Sequence, residues 1–246
     1  MFEIARIHPE YGYRRTNAEL RERGFYVNRK VVERLHSSWD LAVIKRVRHP
    51  KESSIRKLLK EAGSKINLVE GLEEISDFEV LYTDFTEIRY QKGHAKAQLM
   101  PIIDHTSKLA VGHALGESAD TELALKAWNR AREMLKRLGQ KTEDLIIHHD
   151  QDGVFIGHGW LYQVAVRDKV CVSYSEHGAK DNVHMEAFIG RFKVENRLLF
   201  WEQEDFETLT KVVNSRIRYY NFVRRHSALG NKSPIKYLKE KGEIPI

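Results

Sequence analysis

Between residues 78 and 116 the chain offers three successive segments that suit extended backbone, and this run constrains the fold more than any other feature. "FEVLYTDFTEIRY" (78–90) alternates in character and is rich in aromatic and β-branched residues, as a strand with a covered face requires. "QKGH" supplies a turn, "AKAQLMPIIDH" a second strand and "LAVGHALG" a third. The period then changes. "TELALKAWNRAREMLKRLG" repeats its apolar residues at helical spacing, with Asp120 or Thr121 as cap and Gly139 as stop. Next come an apolar strand, "DLIIHHD", a helix, "GHGWLYQVAVRDK", and a strand, "VCVSYS". A three-strand meander followed by strands alternating with helices predicts an α/β fold, a mixed sheet flanked by helices.

In "DNVHMEAFIGRFKVE" (181–195), Met185, Phe188, Ile189 and Phe192 share the apolar face of a helix that Asp181 or Asn182 would cap. Glu186, Gly190 and Lys193 fall on a neighbouring edge. A carboxylate, a gap without a side chain and an ammonium stand in line there, and a surface ion-pair row would account for them as well as a site would. A long last helix carries Phe206, Leu209, Val213, Ile217 and Tyr220 on one stripe.

The N-terminal part reads differently. "TNAELRERG" opens with a capping box, Thr16 with Glu19, and closes on Gly24; Asn28 can cap a second short helix, "RKVVERLH". Two short helices around a tight turn read as a helix-turn-helix over residues 1–45, with Leu20, Val31 and Leu35 as its core. Arg21, Arg23, Arg29, Lys30 and Arg34 stud its exterior. Residues 46–77 are a basic linker with one short helix, "IRKLLKEAG", and residues 78–246 form the sheet domain with a helical C-terminal extension.

Charge is unevenly divided. Residues 1–70 carry 16 Lys/Arg against 9 Asp/Glu, residues 71–190 carry 13 against 19, and residues 191–246 carry 12 against 7. Basic flanks suit a polyanion, while the acidic middle would repel one unless cations intervene. The single cysteine, Cys171, excludes an intrachain disulfide or a cysteine zinc cluster. No apolar run is long enough to span a bilayer and the start lacks a secretory signal, so a soluble protein of a reducing compartment is expected.

Three carboxylates stand out. Asp84 lies within a strand, where a carboxylate is costly unless paired, hydrogen-bonded or metal-bound. Asp150 ends "DLIIHHD", at the edge where open α/β sheets place ligands. Glu186 starts a later helix. All three could converge at one sheet edge, where oxygen-only ligands suit Mg²⁺ or Mn²⁺, and two such ions serve phosphodiester chemistry.

The chain resembles the integrase-like transposases of bacterial insertion sequences, in the DDE, ribonuclease H-like superfamily, and within them the second-frame product of elements read in two overlapping frames. "YGYRRTNAELRERGF" with "VNRKVVERL", "TDFTEI", "IIDHTSKLAVG", "IIHHDQDGVF", "DNVHMEAFIGRFKVE" and "YYNFVRRHSALGNKSP" carry the resemblance in order along nearly the whole chain, and 35 residues separate Asp150 from Glu186. It implies a ribonuclease H-like integrase catalytic domain in which Asp84, Asp150 and Glu186 are the catalytic residues and ligands of two Mg²⁺ ions. It implies that Lys193 meets DNA beside them and that Gly190 leaves room. The remaining expected DNA contacts are Arg14 and Arg15 of "YGYRR", Arg29, Lys30, Arg224 and Arg225. The sequence departs from the family's pattern at "DQDGVF", where Asp152 stands in place of the usual glycine and becomes a rival ligand. The implied partners are the element ends and target DNA, further copies of the chain, and an upstream-frame product or fusion, in the bacterial cytoplasm at the nucleoid. A DNA-binding regulator derived from a transposase and a ribonuclease H-like nuclease are the alternatives.

Asp104 is expected at a strand end or turn. His148 and His149 point to opposite faces of their strand, and Trp128, Trp160 and Trp201 are expected to pack in the core or an interface. Tyr220, Asn221 and His226 join Arg224 and Arg225 in either DNA contact or a C-terminal clasp.

Overall fold

The long strand expected over 78–90 is broken at Asp84 and Phe85 into β1 (Val80–Thr83) and β2 (Thr86–Tyr90). The computed structural model describes residues 1–8, 11–39, 41, 66–176 and 182–244. "IRKLLKEAG" and Asp181 lie outside these. The chain divides into two compact units, Met1–Lys51 and Glu52–Ile246.

In the second unit β3 (Ala95–Asp104) runs antiparallel to β2 along its first half and to β1 along its last residues, so β1 and β2 act as two lengths of one bent strand. β4 (Ala110–Gly116) covers β3's other edge, antiparallel. On the far side β5 (Ile146–His149) pairs parallel with β1, and β6 (Cys171–Tyr174) parallel with β5. The order is β4–β3–β1/β2–β5–β6, a mixed sheet.

Alternation along β1 splits the core between the two faces. Leu81 points to one face with Met100, Ile102 and Ile147, covered by α4 (Thr121–Arg137), α5 (His158–Leu161) and α8 (Pro234–Lys241). Val80 and Tyr82 point to the other, under α6 (Val183–Trp201) and α7 (Phe206–Phe222). α4 lies close on β4: a Cβ at Gly112 would come within 2.7 Å of the Ala127 carbonyl oxygen, so only glycine admits this approach. Asp120 caps α4 by accepting from the Leu123 N–H. The helix expected over 157–169 is one α turn followed by a π turn, Tyr162–Arg167. Trp128 and Trp160 are fully buried, whereas Trp201 is half-buried against the Gly93 turn.

The first unit holds α1 (Phe2–Ile7), α2 (Tyr13–Glu22) and α3 (Arg29–Ser38). Asn28 caps α3 through the Lys30 N–H, as expected. The Thr16–Glu19 capping box does not form. α2 starts three residues earlier, and Thr16 is buried inside it with its hydroxyl 3.4 Å from His36 Nε2. The core is Ile4, Leu20 and Val32, with Val31 and Leu35 only partly covered. α1, which periodicity did not reveal, supplies Ile4 to this core, and the buried residue of α3 in it is Val32 rather than Val31.

Candidate active site at the carboxyl edge of the sheet

β1 and β5 are adjacent and parallel, with Tyr82 opposite His148. Two residues further on, just beyond both strand ends, Asp84 comes level with Asp150. Adjacent strands lie about 4.8 Å apart, and the pairing that precedes them brings the two carboxylates near enough for the charge of Asp150 to act on Asp84. Glu186 sits in the first turn of α6, whose start is tied to the same edge: the Asn182 side-chain amide donates to the Thr83 carbonyl oxygen (3.3 Å). Asn182 holds the N-cap position but makes no side-chain cap.

The electrostatics follow from this packing. Burial first, then the charge of Asp150, push Asp84 up to about 6; Asp152 and Glu186 add to the rise, and a hydrogen bond from the Phe85 N–H (2.7 Å) opposes it. Burial also raises Asp150, whose Oδ1 accepts from the Asp152 N–H (3.1 Å). Asp152 is exposed and accepts from the Val154 N–H (2.9 Å), shaping the loop after β5. Among the described residues no three His, Cys, Asp or Glu side chains close on one point as a ready metal cluster. By chemistry, carboxylate oxygens such as those of Asp84, Asp150 and Glu186 are the donor type that hard divalent cations take.

Two buried histidines support the edge from opposite faces. His149 packs between Phe155, Trp160 and Tyr174, accepts from Trp160 Nε1–H at Nε2 (3.3 Å) and donates from Nδ1 to the Asp150 carbonyl oxygen (2.9 Å). Burial holds it neutral, down to about 3. His148 lies against Tyr82, with Nδ1 2.9 Å from the Ser173 hydroxyl. Asp104 is fully buried and structural: it accepts from the Phe78 N–H (2.8 Å), the Ser107 N–H (2.7 Å) and the Ser107 hydroxyl (2.6 Å), locking the β3–β4 turn to the start of β1.

Comparison with known proteins places the chain in a family. Residues 170–234 match the family model "Integrase core domain" and residues 1–49 match "HTH-like domain". The probable transposase for insertion sequence element IS1353 of Shigella flexneri is 30% identical over 246 residues, covering 96% of this chain and 45% of that protein. The chain thus spans less than half the length of that relative. An uncharacterized transposase-like protein of Haemophilus influenzae is 31% identical over 163 residues, 63% of this chain and 68% of that protein. The chain belongs to the insertion-sequence transposases with an integrase core. The catalytic core domain of HTLV-2 integrase, solved in complex with magnesium, shares the transposase's fold with a TM-score of 0.52 at 15% identity, over 67% of this chain and 99% of that one. Among the described residues no helix of the transposase is long and apolar enough to cross a membrane.

The expected DNA contacts fall in separate places. Lys193 is half-buried, and its Nζ donates to the Thr86 hydroxyl (3.3 Å) at the start of β2. A Cβ at Gly190 would meet nothing within 4 Å, so the space beside Glu186 and Lys193 is open. Arg14, Arg15, Arg29 and Lys30 are exposed on the N-terminal unit. Arg225 is exposed, whereas Arg224 is held by Glu195 through two hydrogen bonds (2.7 and 2.5 Å). Asn221 is a clasp residue: its amide group bonds both the N–H and the carbonyl of Ala110 on β4 (2.9 Å each). Sequence reasoning missed the tie of Asn182 to Thr83, because a polar residue before a helix reads as a cap and nothing local marks a partner 99 positions away.

Proposed function

We propose that this transposase chain cuts a phosphodiester bond at an end of its insertion sequence and joins the freed 3′-hydroxyl to target DNA, as a polynucleotidyl transferase. The observation that carries the reading is the parallel pairing of β1 with β5, which sets the ends bearing Asp84 and Asp150 side by side, with the start of the Glu186 helix tied to Thr83. In this reading the three carboxylates would hold two Mg²⁺ ions, or Mn²⁺, which when bound activate the attacking oxygen and stabilise the leaving one. The fold shared with an integrase core described in complex with magnesium supports that choice.

The chain's own residues then have distinct tasks. Asn182 and the β1–β5 pairing set the spacing of the carboxylates, and His149 holds the Asp150 peptide. Lys193 takes a DNA phosphate beside them, and Gly190 leaves the strand room. Arg14, Arg15, Arg29, Lys30 and Arg225 add backbone contacts, which hold DNA without reading its sequence, while Arg224 is occupied by Glu195. Paired element ends call for more than one copy of the chain, and the upstream-frame product would supply further end recognition.

The test uses the full chain, a duplex carrying an element end, a target duplex and Mg²⁺. Nicking at the element end followed by a joined product is the expected result. Nicking without joining makes the chain a nuclease, and binding without nicking makes it a regulator.

A further inference from the structure

On the opposite flank of α6 from Glu186 and Lys193, a cavity of about 210 Å³ opens between that helix, the β3–β4 turn and the segment following α7. At 100° per residue, His184 and Arg191 fall on this flank and Glu186, Gly190 and Lys193 on the other. Lys108, His184, Arg191, Arg224, His226 and Ser227 supply its polar lining, and no carboxylate lines it.

The balance of charge inside is one-sided. Arg224 is matched by Glu195. Lys108 is not matched: its half-buried ammonium donates to the His105 carbonyl oxygen (2.5 Å), lies 3.4 Å from His184 Nδ1, and pairs with no carboxylate among the described residues. Arg191 forms no ion pair among the described residues either; it acts on Glu195, one turn further along the helix, only at a distance, while Arg224 makes the direct bonds to that carboxylate. Two cations without an ion pair among the described residues face one hollow that no carboxylate lines, and together they attract an anion. A guanidinium fork and an ammonium point charge are the two groups that phosphate recognition uses.

We propose that this cavity is a seat for one phosphate of a DNA strand, held by Lys108 and Arg191 with the Ser227 hydroxyl at its rim. The inference rests on the reading of the chain as a DNA transposase and adds a contact behind the helix that carries Glu186. Inorganic phosphate offers the same chemistry, so a competition arm separates a seat for free phosphate from one that needs the DNA strand.

The experiment measures binding of the full chain to a labelled duplex by fluorescence anisotropy over a salt series, with thermal melting to confirm folding. Lys108→Gln and Arg191→Gln should each weaken binding about threefold to tenfold, and the double variant should flatten the log–log salt slope by about one unit, the loss of one phosphate contact. Ser227→Glu would place a carboxylate at the rim; it should cut DNA affinity while leaving both cations in place and the melting temperature undiminished. Should Lys108→Gln melt poorly, Arg191→Gln, on the exposed helix surface, and Ser227→Glu decide. Millimolar inorganic phosphate should leave wild-type DNA binding unchanged at matched ionic strength; phosphate that displaces DNA through Lys108 and Arg191 would make the seat one for the free ion. Retention of wild-type affinity and slope by all variants overturns the proposal. A wild-type chain that binds no DNA overturns the functional reading, and this inference with it.

Discussion

The side-chain amide of Asn182 reaches the backbone carbonyl of Thr83 (3.3 Å), joining the helix that bears Glu186 to the strand end that bears Asp84. The other half of the amide, Oδ1, is buried without a hydrogen-bond partner among the described residues. A polar group kept in that state costs stability, so the tie is held at an expense that packing alone would not require.

Asn182→Ala should therefore change stability by no more than about 1 kcal/mol, since the lost bond is offset by removal of the orphaned oxygen. Its effect should appear in the response to metal. Carboxylates set less firmly should bind Mg²⁺ about tenfold more weakly, removing roughly 1.4 kcal/mol of the stabilisation that excess Mg²⁺ confers. Thermal melts with and without Mg²⁺ measure this, and a variant with the wild-type Mg²⁺ response would show the tie to be idle.

Asp84 gives a pH signature. Its pKa in the fold is raised to about 6, chiefly by burial and by Asp150. The folded state therefore holds this proton more tightly than the unfolded chain does. That stabilisation is complete below the unfolded value near 3.9 and is lost as pH rises through about 6. With allowance for its partial exposure, Asp84→Asn should add about 1–2 kcal/mol at pH 7.5 in metal-free buffer, with the gain vanishing near pH 4. Urea denaturation at the two pH values tests this. The same variant, like Asp150→Asn and Glu186→Gln, should lose cleavage and strand transfer; an active Asp150→Asn beside an inactive Asp152→Asn would transfer the role to Asp152.

Asp104 should behave in the opposite way on substitution. It too is raised to about 6 by burial, yet both its oxygens accept hydrogen bonds from Phe78 and Ser107. Asparagine would turn an amide donor against the Ser107 N–H, leaving buried donors unpaired at a cost of roughly 1–3 kcal/mol. Asp104→Asn should thus melt lower than the wild type at pH 7.5. A higher melting temperature would mean that the buried charge outweighs the bonds it accepts.

Gly190 and Lys193 separate fold from function along one edge of α6. An added Cβ at Gly190 meets nothing, so Gly190→Ala should stabilise the helix by about 0.5–1 kcal/mol. A bulkier Gly190→Leu should fold equally well but lower strand transfer if DNA passes through that space. Lys193→Ala should weaken DNA binding and flatten its salt dependence by about one log–log unit, with Lys193→Glu worse. Unchanged binding, slope and strand transfer in both Lys193 variants would return the lysine to a structural contact with Thr86.

The order of strands and helices from residue 78 onward was legible because periodicity is local: each segment displays its buried face at its own spacing. Asp150 and Glu186 could be placed at a strand end and a helix start for the same reason, as could Asn28 as the cap of α3. Less was legible where a distant partner intervened. The break at Asp84 and Phe85 falls where β3 passes from pairing with β2 to pairing with β1, a change that no spacing within 78–90 records. Thr16 reads as a cap locally, but it is buried inside a helix that starts earlier, with its hydroxyl beside His36.

By itself, then, the sequence determined the order of strands and helices from residue 78 onward, the apolar faces of the long helices, and the places of Asp150 and Glu186 at element ends. Only the tertiary structure decided that Asp84 comes level with Asp150, through the parallel register of β1 on β5, and that Asn182 reaches back to Thr83. It alone brought Lys108 to the cavity beside Arg191. Local propensity acts over a few residues, whereas register and burial arise when segments tens of residues apart exclude water together. The charges and pKa values of the site belong to that second kind.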